Sequence, residues 1–119
     1  MKFHTITVGD KEYNLRLTSA DAVNLEKKTN TKLLDLINDY SMANFCRMLR
    51  YFRRGGGDVN FSDEDSYNFF DELADNGFAL EDIQTKVILP TLQVSGLLTQ
   101  SDLDNIMEKV NKSKATQEV

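Results

Sequence analysis

The N-terminal segment constrains the fold of this chain more than any other part of the sequence. Two runs, Phe3–Val8 and Glu12–Leu17, alternate between apolar and polar side chains. Such a two-residue period is typical of strands with one buried face. The runs meet at Gly9 and Asp10, and glycine favours the tight turns that join hairpin strands. Residues 1–18 therefore predict a β-hairpin, which must pack on a helix or pair with a strand of another chain because an isolated hairpin is marginal in water.

The rest of the sequence predicts helices. Thr18 or Ser19 can cap a first helix to about Lys28, and Asn30 suits the left-handed position that ends it. Further helices are expected from Thr31 onward, from Ser41 to Arg54 and from Ser62 to Gly77. Another should run from about Leu80 to Leu98, with a kink or break at Pro90. The last helix should begin at Ser101 and Asp104. Their apolar stripes are Leu33, Leu34, Ile37 and Tyr40; Met42, Phe45, Leu49 and Phe52; and Leu103, Ile106, Met107 and Val110.

These patterns predict a mostly α fold with a small N-terminal β-hairpin, an α+β chain forming one compact helical domain over residues 1–112. A length of 119 residues suits a single domain. Gly55, Gly56 and Gly57 cannot continue a helix cheaply, and we expect a flexible hinge at 55–60. The polar tail, 113–119, is expected to be disordered.

Charge is distributed unevenly between the two halves of the chain. Residues 1–54 carry ten basic and six acidic side chains, a net +4, whereas residues 55–119 carry four basic and thirteen acidic ones, a net −9. The halves can attract each other within one fold, or head to tail between subunits of a homo-oligomer. Both interpretations are open from the sequence. The overall charge of −5 argues against a protein that mainly coats nucleic acid.

The chain is poor in the residues that catalysis or metal binding requires. It holds one His, one Cys and no Trp. We expect His4 to be structural within its strand and Cys46 to be a small buried hydrophobe. The sequence therefore predicts no enzyme, no cofactor and no metal site. A lone cysteine suits a reducing cytoplasm, and the uncharged run between Lys86 and Asp102 is too short for a membrane span.

One helix carries a cluster of arginines. Arg47, Arg50 and Arg54 share a face. With Arg53, Tyr51 and Phe52 they form a basic patch. Arginine forks and aromatic rings suit nucleic acid, so a small helical regulatory or nucleic-acid-binding protein is the alternative function. Because the rest of the chain is acidic, a protein partner is the better interpretation of this face.

The hairpin and the first helix resemble the small tail assembly chaperones of long-tailed, siphovirus-type phages. In that family, an Ile/Val-rich strand and a Gly-x-x-x-Tyr-x-Leu-Arg-Leu-Thr segment precede a Leu-Glu-Lys-Lys helix. The matching residues here are Ile6, Val8, Gly9, Tyr13, Leu15, Arg16, Leu17, Thr18, Leu25, Glu26, Lys27, Lys28 and Leu33 to Leu36. About a quarter of the chain carries the resemblance. Asn30 stands where the family often has Gly.

The resemblance implies a phage or prophage protein that binds the tape measure protein, keeps it soluble and helps recruit tail tube subunits. Such a chaperone acts in the host cytoplasm and is absent from the mature virion. The residues expected to contact partners are Arg47, Arg50, Tyr51, Arg54, Leu97, Leu98, Leu103, Ile106 and Met107. The apolar members would cover the apolar stripe of a client helix.

Overall fold

The computed structural model describes residues 2–39 and 41–117, with side chains as far as 108. The elements in chain order are β1 (His4–Val8), β2 (Lys11–Leu15), α1 (Ser19–Thr29), α2 (Leu33–Leu36), α3 (Met42–Gly55), α4 (Asp63–Asp75), α5 (Leu80–Asp82), a π-helical turn (Ile83–Ile88), α6 (Leu89–Val94) and α7 (Gln100–Gln117). The α+β class with an N-terminal hairpin is confirmed. Tyr40 and the side chain of Val110, both assigned to apolar stripes, lie outside the described residues.

The hairpin is antiparallel with a two-residue turn. Gly9 adopts a left-handed φ of 65°, and the register pairs His4 with Leu15 and Val8 with Lys11. Alternation places Ile6, Val8 and Leu15 in the core, while Thr5 and Thr7 face solvent. The hairpin packs on helices of its own chain, because β2 contacts α3 and β1 contacts α6.

The predicted caps of the first helices are present. The Thr18 side chain accepts from the Asp21 N–H, and Asn30 ends α1 in the left-handed conformation with φ 50°. Ser41 caps α3 in the same way, accepting from the Asn44 N–H. Each cap satisfies a backbone donor that the first turn leaves free.

The third helix, α3, forms the centre of the core. Phe45, Leu49 and Phe52 are buried as their spacing predicts, but Met42 is 47% exposed and was assigned to the core wrongly. The buried face is wider than the predicted stripe and also takes in Cys46, Met48 and Tyr51. It is wide because α3 packs against α1, α4 and β2.

The glycines at the end of α3 allow a close approach between two backbone segments. A Cβ added at Gly55 would lie 2.0 Å from the Arg16 carbonyl oxygen, and one added at Gly56 would lie 1.8 Å from the Asn14 carbonyl oxygen. The Arg16 N–H donates to the Phe52 carbonyl at 3.1 Å in the same place. Gly55 and Gly56 therefore have a packing role that the sequence did not predict, and the hinge at 55–60 stays a prediction.

Pro90 is accommodated without a break in the helical chain. The π-helical turn runs directly before α6, which holds Pro90 in its first turn. Proline lacks the N–H that an α-helix would donate to the Lys86 carbonyl. His4 Nε2 lies 2.8 Å from that oxygen and donates to it, so His4 has a structural role that ties β1 to the helices.

The last helix begins at a different residue from the predicted one. Its cap is Thr99, whose hydroxyl accepts from the Asp102 N–H while the Asp102 carboxylate accepts from the Thr99 N–H. The predicted opening at Ser101 and Asp104 was therefore wrong. The chain stays helical to Gln117, into the segment for which a disordered tail was predicted at 113–119.

Candidate partner-binding site

Arg50 of the predicted arginine face is engaged within its own chain. Its Nη1 lies 3.2 Å from Oδ1 of Asp63, and its Nε donates to the Phe61 carbonyl at 3.3 Å. The side chain is 21% exposed. Arg50 therefore joins the basic half of the sequence to the acidic half, in agreement with the intramolecular interpretation of the charge asymmetry.

Arg53, which the sequence placed in the basic patch but not among the partner-binding residues, occupies an aromatic cage. Its guanidinium carbon lies 4.3 Å from the ring centroid of Tyr13, 4.5 Å from that of Phe61 and 4.8 Å from that of Phe69. Asp58 lies 3.6 Å from its Nη2. Cations are attracted to ring faces at these distances, most strongly where water is excluded. The cage therefore fastens the hairpin, α3 and α4 to one another.

The hydroxyl of Tyr13, one of the cage residues, makes a hydrogen bond to α4. The Tyr13 hydroxyl donates to Oε1 of Glu72 at 2.7 Å. Burial, and then the hydrogen bond to this carboxylate, raise the pKa of Tyr13 to about 12. Tyr13 belongs to the segment that resembles the phage family, and its role in this structure is to hold the hairpin on α4.

The remaining residues of the arginine face are placed differently from one another. Tyr51 is only 2% exposed, beneath Arg50 and Lys28, so its ring is covered within the chain. Arg47 makes one long hydrogen bond, 3.4 Å, to Asn44. Arg54 makes no hydrogen bond or ion pair with any side chain described between residues 2 and 108. The face left for a partner is thus reduced to Arg47 and Arg54.

The apolar residues predicted to contact a client lie together at the junction of α6 and α7. Leu98 is 5% exposed and belongs to the core, whereas the others are half-buried against it: Leu97, Leu103, Ile106 and Met107. Leu103, Ile106 and Met107 belong to the stripe that the helical spacing predicted.

A groove of about 180 Å³ opens beside this region, between α2 and α7. Its lining residues are Leu34, Ile37, Asn38, Leu98, Asp102, Asn105 and Ile106. Leu34 is a large apolar side chain that is 54% exposed. Ile37 and Leu98 of this lining are buried, and Asp102 is the only charged residue among the described side chains that line it. The sequence anticipated Leu98 and Ile106 but not the contribution of α2, because residues 34 and 106 meet only in the folded chain.

One wall of the groove is fixed by a buried amide. Gln84, in the π-helical turn, donates through Nε2 to the Ile37 carbonyl at the end of α2. Its Oε1 is buried without a hydrogen-bond partner among the described residues. The bond joins α2 to the helix beneath it, so the groove has a supported wall although α2 is a single short turn.

The single cysteine lies buried in α3. Burial, and then the negative charge of Asp71, raise the pKa of the Cys46 thiol, so this buried thiol is disfavoured as a thiolate. Within the residues that the structure describes, no three His, Cys, Asp or Glu side chains come together to hold a metal ion. No described helix is both long and apolar enough to cross a membrane.

No protein-family model, curated protein or solved structure matches the chain significantly.

Proposed function

We propose that this chain is a non-enzymatic tail assembly chaperone of a long-tailed phage or prophage. It binds the tape measure protein, keeps it soluble and helps recruit tail tube subunits, acting in the host cytoplasm and leaving before the virion is complete. Two features support the proposal: the hairpin-to-helix sequence that resembles this family, and the groove between α2 and α7. The groove is the observation that carries it, because two of the residues predicted to contact a client, Leu98 and Ile106, line it.

The size of the groove favours a protein client over a small molecule. Small-molecule sites commonly span about 300–1,000 Å³, and this groove holds about 180 Å³. Such a volume suits one or two apolar side chains that project from a client helix. Removing apolar surface from water stabilises a complex by about 25 cal/mol per Å².

The acidic groove rim suggests the chemistry of the client. Asp102 lines the groove, and no lysine or arginine among the side chains described up to residue 108 does. A client helix that flanks its apolar stripe with lysine or arginine is therefore favoured over one flanked by acids. Many copies bound along one long client would gain avidity from weak single contacts.

The test is co-expression with the tape measure protein encoded beside this chain. We expect a higher soluble yield of the tape measure protein with the chaperone than without it, and co-elution of the two proteins. Leu34→Asp should weaken this binding about tenfold or more, since it places a charge at the mouth of the groove.

Val23→Asp is the matched control. Val23 is an apolar residue of α1 that is 48% exposed, close to the 54% of Leu34, and it does not line the groove. If both variants bind the client like the unaltered protein, the groove is not the client site. If the tape measure protein is equally soluble alone and never co-elutes, the proposed function is wrong.

A further inference from the structure

The outer edge of β2 is covered within the chain. Arg16 donates its N–H to Phe52, and the Asn14 carbonyl abuts Gly56. The backbone groups of positions 14 and 16 thus point away from β1 and towards the end of α3. In an antiparallel ladder, two residues of a non-hydrogen-bonded pair direct their backbone groups to opposite sides. Since Thr5 pairs with Asn14, the backbone groups of Thr5 and Thr7 point outwards from the opposite edge.

That opposite edge, the outer edge of β1, is open. Thr5 and Thr7 are exposed. No described residue donates to or accepts from their outward backbone groups. Proteins usually protect such an edge with a charged side chain, a proline or a bulge, because it is a template for pairing with another strand. The sequence His-Thr-Ile-Thr-Val of β1 has no lysine, acid or proline, and its register is regular from end to end.

We propose that the outer edge of β1 pairs with β1 of a second copy of this chain, antiparallel about a twofold axis at Ile6. Thr5 of each copy then exchanges both backbone hydrogen bonds with Thr7 of the other. The two hairpins become one continuous sheet. The inference is independent of the function proposed above, since it rests on the hairpin edge and not on the groove.

The composition of β1 favours a second copy as the occupant of this edge. With the axis at Ile6, threonine faces threonine at both hydrogen-bonded pairs, and Ile6 faces its own equivalent. Cross-strand threonine pairs and pairs of β-branched residues are favourable in sheets. No charged side chain of β1 meets a like charge, so the strand is complementary to itself.

Two double variants test the pairing and its register. In Thr5→Lys/Thr7→Lys, each new lysine faces a lysine of the other copy. In Thr5→Lys/Thr7→Glu, each new lysine faces a glutamate. Sedimentation equilibrium from micromolar to millimolar protein should show a weak dimer for the unaltered chain. We expect the dimer of the first variant to be about tenfold weaker than that of the second.

A difference in hairpin stability cannot explain a weaker dimer of the lysine–lysine variant than of the lysine–glutamate variant. Position 7 lies opposite Glu12 within the chain, so the lysine at position 7 favours the isolated hairpin and the glutamate disfavours it. A thermal melt of each variant confirms that both are folded. The proposal is overturned if the unaltered chain stays monomeric at millimolar concentration, or if the two variants dimerise equally.

Amide hydrogen exchange gives a second measurement. The Thr5 and Thr7 amides should become more protected as protein concentration rises, whereas the Ile6 amide, which points into the hairpin, should not change. If Thr5 and Thr7 are protected only when a tape measure protein is added, the edge accepts a client strand, and the assignment to a second copy is wrong.

Discussion

The aromatic cage around Arg53 should contribute more to stability than any other arginine contact of α3. Three ring centroids lie within 4.8 Å of its guanidinium carbon, and its side chain is only 16% exposed. A desolvated cation–π contact contributes about 2 kcal/mol, and the buried stem contributes about 1 kcal/mol. The ion pair with Asp58 adds little, because that carboxylate is 51% exposed.

Arg53→Ala should therefore lower the free energy of unfolding by about 3 kcal/mol. For a chain of this length, the melting temperature would fall by roughly 10 °C. Arg53→Met keeps most of the apolar stem and loses the charge, so its loss should be about 1–2 kcal/mol. Urea denaturation followed by circular dichroism measures both, provided that the slope against urea concentration stays the same.

Arg54→Ala is the control for Arg53. Arg54 follows Arg53 on the same helix and makes no hydrogen bond or ion pair with the described side chains, so its loss should stay within about 0.5 kcal/mol. Equal destabilisation by Arg53→Ala and Arg54→Ala would refute the reasoning, since the cage would then add nothing beyond a helical arginine.

Three further predictions follow from single contacts. Gly56→Ala should lower the free energy of unfolding by about 3 kcal/mol or more in the same urea assay, because a Cβ cannot fit 1.8 Å from the Asn14 carbonyl oxygen. A loss below about 1 kcal/mol would contradict the close contact between Gly56 and Asn14. The contribution of Tyr13 to stability should be complete below its unfolded pKa of about 10 and fall as pH rises towards about 12, since the unfolded state releases the proton first. Tyr13→Phe should remove this part of the alkaline loss, and an unchanged pH profile would show that the titration of Tyr13 does not cause it. Cys46 should react with a thiol reagent much more slowly in the folded protein than in urea, and equal rates would contradict its burial.

The sequence predicted the features that local chemistry determines. The Gly9 turn, the Thr18 and Ser41 caps and the left-handed Asn30 depend on residues adjacent in the chain, and all are present. A cap or tight turn satisfies backbone groups within a few residues, so its physical cause is visible in a short window. For the same reason the α+β class was predictable.

The candidate site was predictable only in part. Helical spacing grouped Leu103, Ile106 and Met107, and all three pack against the core. The opposite wall of the groove, Leu34 and Ile37, was beyond prediction because it comes from a distant segment. Tyr51 was expected at a partner surface, but its ring is covered within the chain.

Tertiary structure alone decided what each arginine and glycine of the central segment does. Helical spacing places Arg50, Arg53 and Arg54 around α3, but it does not reveal which one meets the rings of Tyr13 and Phe69. Likewise, Gly55 and Gly56 have the composition of a hinge, while the fold uses them where α3 meets the β2 backbone. The physical reason is the same in both cases: burial and close approach depend on segments that are distant in sequence, whereas propensity and periodicity describe only neighbours along the chain.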